Sequence, residues 1–222
     1  MAMNKDNQKN SKVAKKRISG PRVKKDACYQ LKIVLSDAPL PIWRRLVVRS
    51  DVPLSLLHQV FQIAMGWWDY HLYDFESKGR HFGDLDTSEG DEKVEDADKF
   101  CLSDLISEVN ETFKYHYDFG DSWHHEVTLE DILPPRNVPR AFALCVGGRR
   151  ACPPEDVGGV DGYANFLNII EDNMHPERLE HLIWAGGDFD PDSFDIRGVN
   201  LRLELFTEAI ALGMAEPPIP VT

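Results

Sequence analysis

Alternation of apolar and polar side chains predicts an antiparallel pair of strands at residues 28–35 and 42–49. The link between them contains two prolines and is too short for the crossover that a parallel pair needs. A helix is predicted next, because Pro53 suits a first helical turn and Gly66 suits a helix end. Apolar residues recur between them at helical spacing: Leu54, Leu57, Val60, Phe61 and Ala64.

The clearest pattern along the chain is a β-hairpin at residues 113–130. Apolar and polar side chains alternate over 113–119 and again over 123–130, with Gly120 and Asp121 at the turn. A second aromatic stretch, residues 67–82, carries a hairpin turn signal at Lys78 and Gly79. Both segments predict strands.

The remaining segments predict irregular and helical structure. We predict a solvated acidic loop at residues 84–98 and a short helix at residues 102–109. Residues 134–159 are rich in proline and glycine, which predicts an irregular segment. Three helices are predicted at 162–170, 176–185 and 199–212. Strands early and helices late indicate an α+β fold: a single domain with a mostly antiparallel sheet packed against helices, and helices at the C-terminus.

Charge divides the 222-residue chain into unequal parts. Residues 1–25 hold nine basic side chains and one acid, a net charge of +8, whereas the whole chain carries -12. We therefore predict a basic disordered tail at 1–26, a domain at 27–213 and a proline-rich C-terminal tail at 214–222. Lysines and arginines of the first tail are candidates for binding nucleic acid phosphates: Lys15, Lys16, Arg17, Lys24 and Lys25.

Composition also excludes several classes of protein. No apolar run approaches the ~18 residues of a membrane span, and the basic N-terminus lacks the apolar stretch of a secretory signal. Four cysteines are too few for a disulfide framework. Glycine pairs occur, but without the spacing of a phosphate-binding loop, so no nucleotide cofactor is expected. These observations predict a cytoplasmic protein without a membrane partner.

The densest group of candidate functional side chains surrounds the 113–130 hairpin and consists of Asp118, Asp121, His124 and His125. His125 shares a face with apolar residues, so it is either a hydrogen-bonded core histidine or a metal ligand. Asp121 is typical of a tight turn. If His125 binds a metal, its partners are Cys145 and Cys152, because thiolates and imidazole together suit zinc.

Three further acids are candidates for chemistry. Glu155 and Asp156 are adjacent and follow two prolines, so they are either an acid–base pair or residues that cap a turn. Asp190 belongs to a run of alternating aspartates, but Ser193 and Val199 stand where a calcium loop needs glycine and glutamate. Asp195 is predicted to cap the last helix.

Five segments, taken together, resemble the plasmid pRiA4b ORF-3-like family. They are "PLPIWRRLVV", "LLHQVFQIAMGWWDYHLYDF", "YDFGDSWHHEV", "ACPPEDVGGVDGYANF" and "FDPDSFD". The resemblance implies a compact α+β fold, found on plasmids and mobile elements, with no established activity. It also implies cysteines at the places of Cys145, Cys152 and Val157 and a histidine at that of His125. With valine at 157, either a carboxylate such as Asp156 or a water would be the fourth zinc ligand, or the site no longer binds metal.

Two functions follow from these observations. The first is an accessory or binding domain that recognises an unknown protein or nucleic-acid partner, since no catalytic signature is present. The second is a metal-assisted hydrolase acting on phosphoesters, with Asp118, Asp121, His125 and Asp156 around an ion. They differ in whether these groups converge in an open cleft, so the sequence leaves open whether the protein is an enzyme.

Overall fold

An eight-stranded sheet organises the computed structural model of the protein, which describes residues 27–84, 94–134 and 141–214. The strands are β1 (Cys28–Leu35), β2 (Trp43–Arg49), β3 (Tyr73–Ser77), β4 (Arg80–Gly83), β5 (Val94–Asp96), β6 (Thr112–Tyr117), β7 (Trp123–Leu133) and β8 (Ala143–Arg149). Their order is β5-β4-β3-β6-β7-β1-β2-β8. Within the described ranges every pairing is antiparallel except β4 with β5.

Helices cover the apolar face of this sheet. They are α1 (Leu54–Met65), α2 (Leu102–Leu105), α3 (Gly159–Glu171), α4 (Arg178–Trp184) and α5 (Ile196–Ala211). Their apolar side chains join the inward residues of the strands in one core. The α+β class, the mostly antiparallel sheet and the C-terminal helices are confirmed. No helix within these ranges is long and apolar enough to cross a bilayer.

The two predicted hairpins are confirmed. Tyr117 faces Trp123 across the turn between β6 and β7, and β3 pairs with β4 at the predicted Lys78–Gly79 turn. Alternation places one side of each strand in the core, where Tyr115 and Trp123 are fully buried. The sequence pattern predicts the strands of these hairpins well because one face of the sheet is exposed to solvent and the other is buried in the core.

Other elements differ from the predictions. Residues 134–159 contain β8, although the prolines and glycines there favour irregular structure, and α3 begins at Gly159, before the predicted 162. The predicted helix at 102–109 is only the single turn α2. Helix α5 begins at Ile196, before the predicted 199, and directly follows the predicted cap Asp195, whose side chain accepts a hydrogen bond from the Arg197 amide at 3.0 Å. Residues 1–26, 85–93 and 215–222, which include the whole predicted basic tail and most of the C-terminal tail and of the acidic loop, lie outside the described residues. The end of that predicted loop instead contains β5, which pairs with β4.

Candidate functional site

The turn between β6 and β7 meets the loop that leads into α3. Asp121 Oδ2 accepts a hydrogen bond from the Gly158 amide at 3.0 Å. The next residue, Gly159, has a φ of +67°, and a Cβ there would lie 2.6 Å from the Asp121 carbonyl oxygen. Only glycine allows this approach without strain. Two segments about 40 residues apart in sequence are thereby fixed to each other.

Three ligand-type side chains converge where these segments meet. Nε2 of His71, in the loop between α1 and β3, lies 3.1 Å from Asp156 Oδ1 and 3.6 Å from Asp118 Oδ2. One ligand atom from each residue lies within 4.8 Å of the other two. Among the described residues this is the one group of three or more histidine, cysteine or acidic side chains that is so close. We call it the His71 centre.

The spacing within the His71 centre suits a divalent cation. At about 2.1 Å from an ion, neighbouring ligands of a tetrahedral or octahedral site lie about 3.0–3.4 Å apart. The distance of 3.1 Å from His71 Nε2 to Asp156 falls in this range, and the 3.6 Å to Asp118 lies just above it. Asp118 and Asp156 both have left-handed backbone, with φ of 55° and 58°, a conformation that aspartate tolerates in turns. His71 Nε2 is buried, and neither nearby carboxylate oxygen completes an aligned hydrogen bond to it among the described atoms. A buried nitrogen without such a partner needs another one.

Asp118 and Asp156 each keep one carboxylate oxygen available as a ligand, Asp118 because its other oxygen is hydrogen-bonded and Asp156 because it is exposed. Asp118, whose side chain is 6% exposed, uses Oδ1 to accept from the amides of Gly120 at 2.9 Å and Asp121 at 3.2 Å. Its Oδ2 faces His71. Asp156 is 68% exposed. The centre is thus rigid on the Asp118 side and open to solvent on the Asp156 side, as a catalytic metal site with three protein ligands would be.

A second carboxylic acid, Glu155, lies beside the centre in a drier position. Its Oε1 accepts from the Trp68 amide at 2.8 Å and from the Tyr117 hydroxyl at 3.1 Å. Burial raises the pKa of Glu155 above its ordinary 4.5, although these hydrogen bonds oppose the shift. Glu155 is therefore positioned to hold a proton at a higher pH than an exposed glutamate.

A cleft of about 290 Å³ opens beside Asp156. Its walls come from the start of α3 and from α4: Val157, Gly162, Asn165, Phe166, Glu180, His181 and Trp184. The rings of Phe166 and Trp184 meet edge to face, with centroids 6.0 Å apart. A small molecule in this cleft would contact aromatic and polar groups while one end reached Asp156.

The structure places the predicted zinc ligands apart. His125 on β7 and Cys145 on β8 are separated by β1 and β2, a distance of about 14 Å at the spacing of neighbouring strands. This is too far for both side chains to reach one ion. His125 is buried in the core, where its Nδ1 contacts the Tyr115 carbonyl oxygen at 3.2 Å. Burial lowers the pKa of His125 to about 3, so the ring is neutral.

The surroundings of the two cysteines also disfavour a cation. Cys152 Sγ lies 3.3 Å from Nη2 of Arg44, a guanidinium that is itself 2% exposed. Burial raises the pKa of both thiols, and Cys145 Sγ contacts the Gly147 carbonyl oxygen at 3.4 Å. A positive charge beside a protonated thiol repels a metal ion. The residues present do not fit a zinc site of two thiolates, His125 and Asp156.

The remaining candidates have other positions. Asp121 braces Gly158 as described above, in the role of a turn residue. His124 lies on the outer face of β7, where its Nε2 is 3.3 Å from Ser122 Oγ. Asp190 accepts from the Asp192 amide at 3.0 Å in the loop before α5 and is not part of the His71 centre. Of the acids singled out from the sequence, Asp118 and Asp156 lie in the His71 centre, and the histidine beside them is His71.

The sequence patterns did not point to His71, because nothing in its immediate sequence marks it as a candidate ligand. It is a single histidine in an aromatic segment, and its partners are about 47 and 85 residues further along the chain. The available signal was its position five residues after Gly66, in the loop that joins the end of α1 to β3. Loops held by a rigid scaffold commonly carry functional side chains.

The fold and the site define an α+β domain that carries an open imidazole–carboxylate centre at one end of its sheet. The chain belongs to the plasmid pRiA4b ORF-3-like family, whose family model matches residues 27–198. It is 36% identical over 177 residues to the uncharacterized protein y4hQ of Sinorhizobium fredii (strain NBRC 101917 / NGR234), spanning 79% of this chain and 90% of the relative.

A solved structure has the same fold. The crystal structure of the protein of unknown function MM3350 from Methanosarcina mazei Go1 matches with a TM-score of 0.68 at 36% identity, covering 77% of this chain and 95% of that one. No activity is established for these relatives or for the family. The comparisons therefore give this chain a family and a fold without a reaction.

Proposed function

We propose that the protein is a metal-assisted hydrolase acting on phosphoesters, with a divalent cation held by His71, Asp118 and Asp156. The observation that carries the proposal is the convergence of these three ligand atoms within 4.8 Å of one another beside an open cleft. Two carboxylates and one imidazole are donors that Mn²⁺ and Zn²⁺ both accept. The metal residues of this proposal replace the cysteine-based set expected from the sequence.

The charge of the site supports a phosphoester as substrate. Two carboxylates offset a dication, so an anionic phosphate is not repelled by the ligands themselves. The third carboxyl, Glu155, is neutral over part of the pH range because burial raises its pKa. In its acid form it can donate a proton to a leaving oxygen. A bound ion would supply a water of lowered pKa as nucleophile.

The hydrolase is tested by turnover of bis(4-nitrophenyl) phosphate with Mn²⁺ or Zn²⁺. We expect metal-dependent release of nitrophenolate and a loss of at least about 100-fold on Asp156→Asn, because an amide is a poor ligand and leaves the cation charge uncompensated. Asp190→Asn is the matched control, since Asp190 lies outside the centre, and should retain full rate. Metal binding without turnover would refute the reaction but not the centre.

The protonation of Glu155 predicts a pH-dependent stability. Its folded pKa is raised by burial, so the folded state loses stability as pH rises from 4.5 through the raised value. Glu155→Gln cannot ionise and is spared this loss. Its unfolding free energy, relative to wild type, should therefore increase from pH 4 to pH 7.5, measured by urea denaturation.

Glu76→Gln is the control for that experiment and should change in the opposite direction. A hydrogen bond from Lys114 lowers the pKa of Glu76, so wild type has stability above pH 4.5 that is lost as pH falls through the lowered value. The Glu76 variant should thus become relatively less stable as pH rises. Parallel curves for the two variants would contradict the assignment of a raised pKa to Glu155.

A non-enzymatic accessory domain is the second candidate. It is favoured by the use of Asp118 Oδ1 and Asp121 Oδ2 to brace backbone amides in the turn, a structural role that needs no ion. In that case the basic tail, with Lys15, Lys16 and Arg17, would contact nucleic acid. The test is salt-sensitive retention of RNA or DNA by the full chain and its loss on deleting residues 1–25.

The described cysteines are free thiols, which supports the cytoplasm as the compartment that we propose.

A further inference from the structure

Two histidines that are not members of the His71 centre face each other on the outer side of the sheet. His116 on β6 and His124 on β7 are directly opposite in the antiparallel register. Their rings are stacked, with centroids 4.1 Å apart and planes 20° apart. His116 is half-buried and His124 is exposed. Neither belongs to the core, where the alternate residues Tyr115 and His125 of the same strands lie.

Both imidazoles aim the same nitrogen at one point. His116 Nε2 lies 3.2 Å and His124 Nε2 lies 3.3 Å from Ser122 Oγ. A hydroxyl has one proton and two lone pairs, so the Ser122 hydroxyl can donate to one ring and accept from the other, or accept from both. This arrangement fixes two ring nitrogens around a single atom that sits where an ion could.

We propose that His116 and His124 form a second metal site, selective for Cu²⁺, Ni²⁺ or Zn²⁺ over Mg²⁺ and Ca²⁺. Two imidazole nitrogens favour these borderline transition ions, whereas Mg²⁺ and Ca²⁺ need oxygen ligands. An ion would displace the Ser122 hydroxyl and take both Nε2 lone pairs, with each ring proton on Nδ1. Water completes the coordination on the exposed side. The proposal is independent of the hydrolytic function.

The strand register explains why this pair suits an ion better than two unconnected surface histidines. Opposite residues of an antiparallel pair have Cβ atoms about 4.5–5.5 Å apart, and the ladder on either side holds that separation. The ring of Phe119 packs beside that of His116, with centroids 4.8 Å apart. The backbones are thus held at a chelating separation, and the two stacked rings would turn so that both Nε2 lone pairs reach one ion.

The test is titration of the full-length protein with Cu²⁺, followed by calorimetry and electron paramagnetic resonance. Wild type should bind one equivalent that shows nitrogen hyperfine coupling from two imidazoles. His116→Gln and His124→Gln should each weaken this binding at least about tenfold, and the double variant should lose the two-nitrogen signal. His175→Gln, outside both sites, is the control and should match wild type. His71→Ala should also keep the two-nitrogen signal, which separates this site from the His71 centre.

Ser122→Ala keeps the proposal testable should the histidine variants fold poorly. The variant removes the hydroxyl that an ion must displace, so Cu²⁺ affinity should stay equal to wild type or increase. A two-nitrogen signal unchanged in the double histidine variant would overturn the proposal. So would a wild-type spectrum without coupling from two imidazoles, or loss of that signal in Ser122→Ala.

Discussion

His71→Ala should lower the affinity for Mn²⁺ and Zn²⁺ by at least about 100-fold. The substitution removes the imidazole and leaves Asp118 and Asp156 as two carboxylates on separate loops. Isothermal titration calorimetry of the full chain measures this loss directly. Folding should be preserved, because the His71 side chain is 28% exposed and pairs with the largely exposed Asp156.

The control for His71→Ala is His181→Ala. His181 lines the adjoining cleft but is not a member of the metal group, so its loss should leave the affinity within about threefold of wild type. Unchanged affinity in His71→Ala, or equal losses in the two variants, would show that binding does not depend on the proposed ligand.

Arg44→Ala should destabilise the fold by about 3–5 kcal/mol. The buried guanidinium donates to the carbonyl oxygens of Ala64 at 2.7 Å, Trp43 at 2.9 Å and Arg149 at 3.0 Å. It also lies over the Phe194 ring, with a distance of 4.2 Å to the centroid. Removing it leaves buried carbonyl oxygens without a donor and opens a cavity between β2, β8 and α1.

The neighbouring arginine provides the comparison. Arg45 points to the opposite face of β2 and pairs with Glu130 at 2.6 Å, where both side chains are partly exposed. Arg45→Ala should lose only about 0–1 kcal/mol. Urea unfolding followed by tryptophan fluorescence distinguishes the two. Similar losses for both variants would contradict the view that Arg44 anchors the core.

Most of the strands could be predicted from the sequence, whereas the composition of the candidate site could be predicted only in part, for one physical reason. A strand such as β7 can be recognised from its local sequence, because every second residue is buried and is therefore apolar. β8 was missed because Gly147 and Gly148 interrupt that signal. Gly148 lies against the Phe194 ring, where a Cβ would be 2.4 Å from a ring carbon, so close packing selected glycine over a strand former.

The proposed ligand set depends on tertiary contacts that no local pattern records. The sequence did indicate that the β6–β7 hairpin and the 153–159 segment carry the candidate chemistry, and Asp121 and Gly158 join them in the structure. Which side chains point to the shared space was set by the left-handed backbone at Asp118 and Asp156. Residue type alone favoured cysteine and His125, whose side chains face the core instead.

Anomalous diffraction at the zinc absorption edge, from crystals of the full chain grown with Zn²⁺, tests the central claim most directly. We predict a peak bonded to His71 Nε2 and to carboxylate oxygens of Asp118 and Asp156. A peak at Cys145 or Cys152, or well-ordered density for all three side chains with no peak between them, would contradict it.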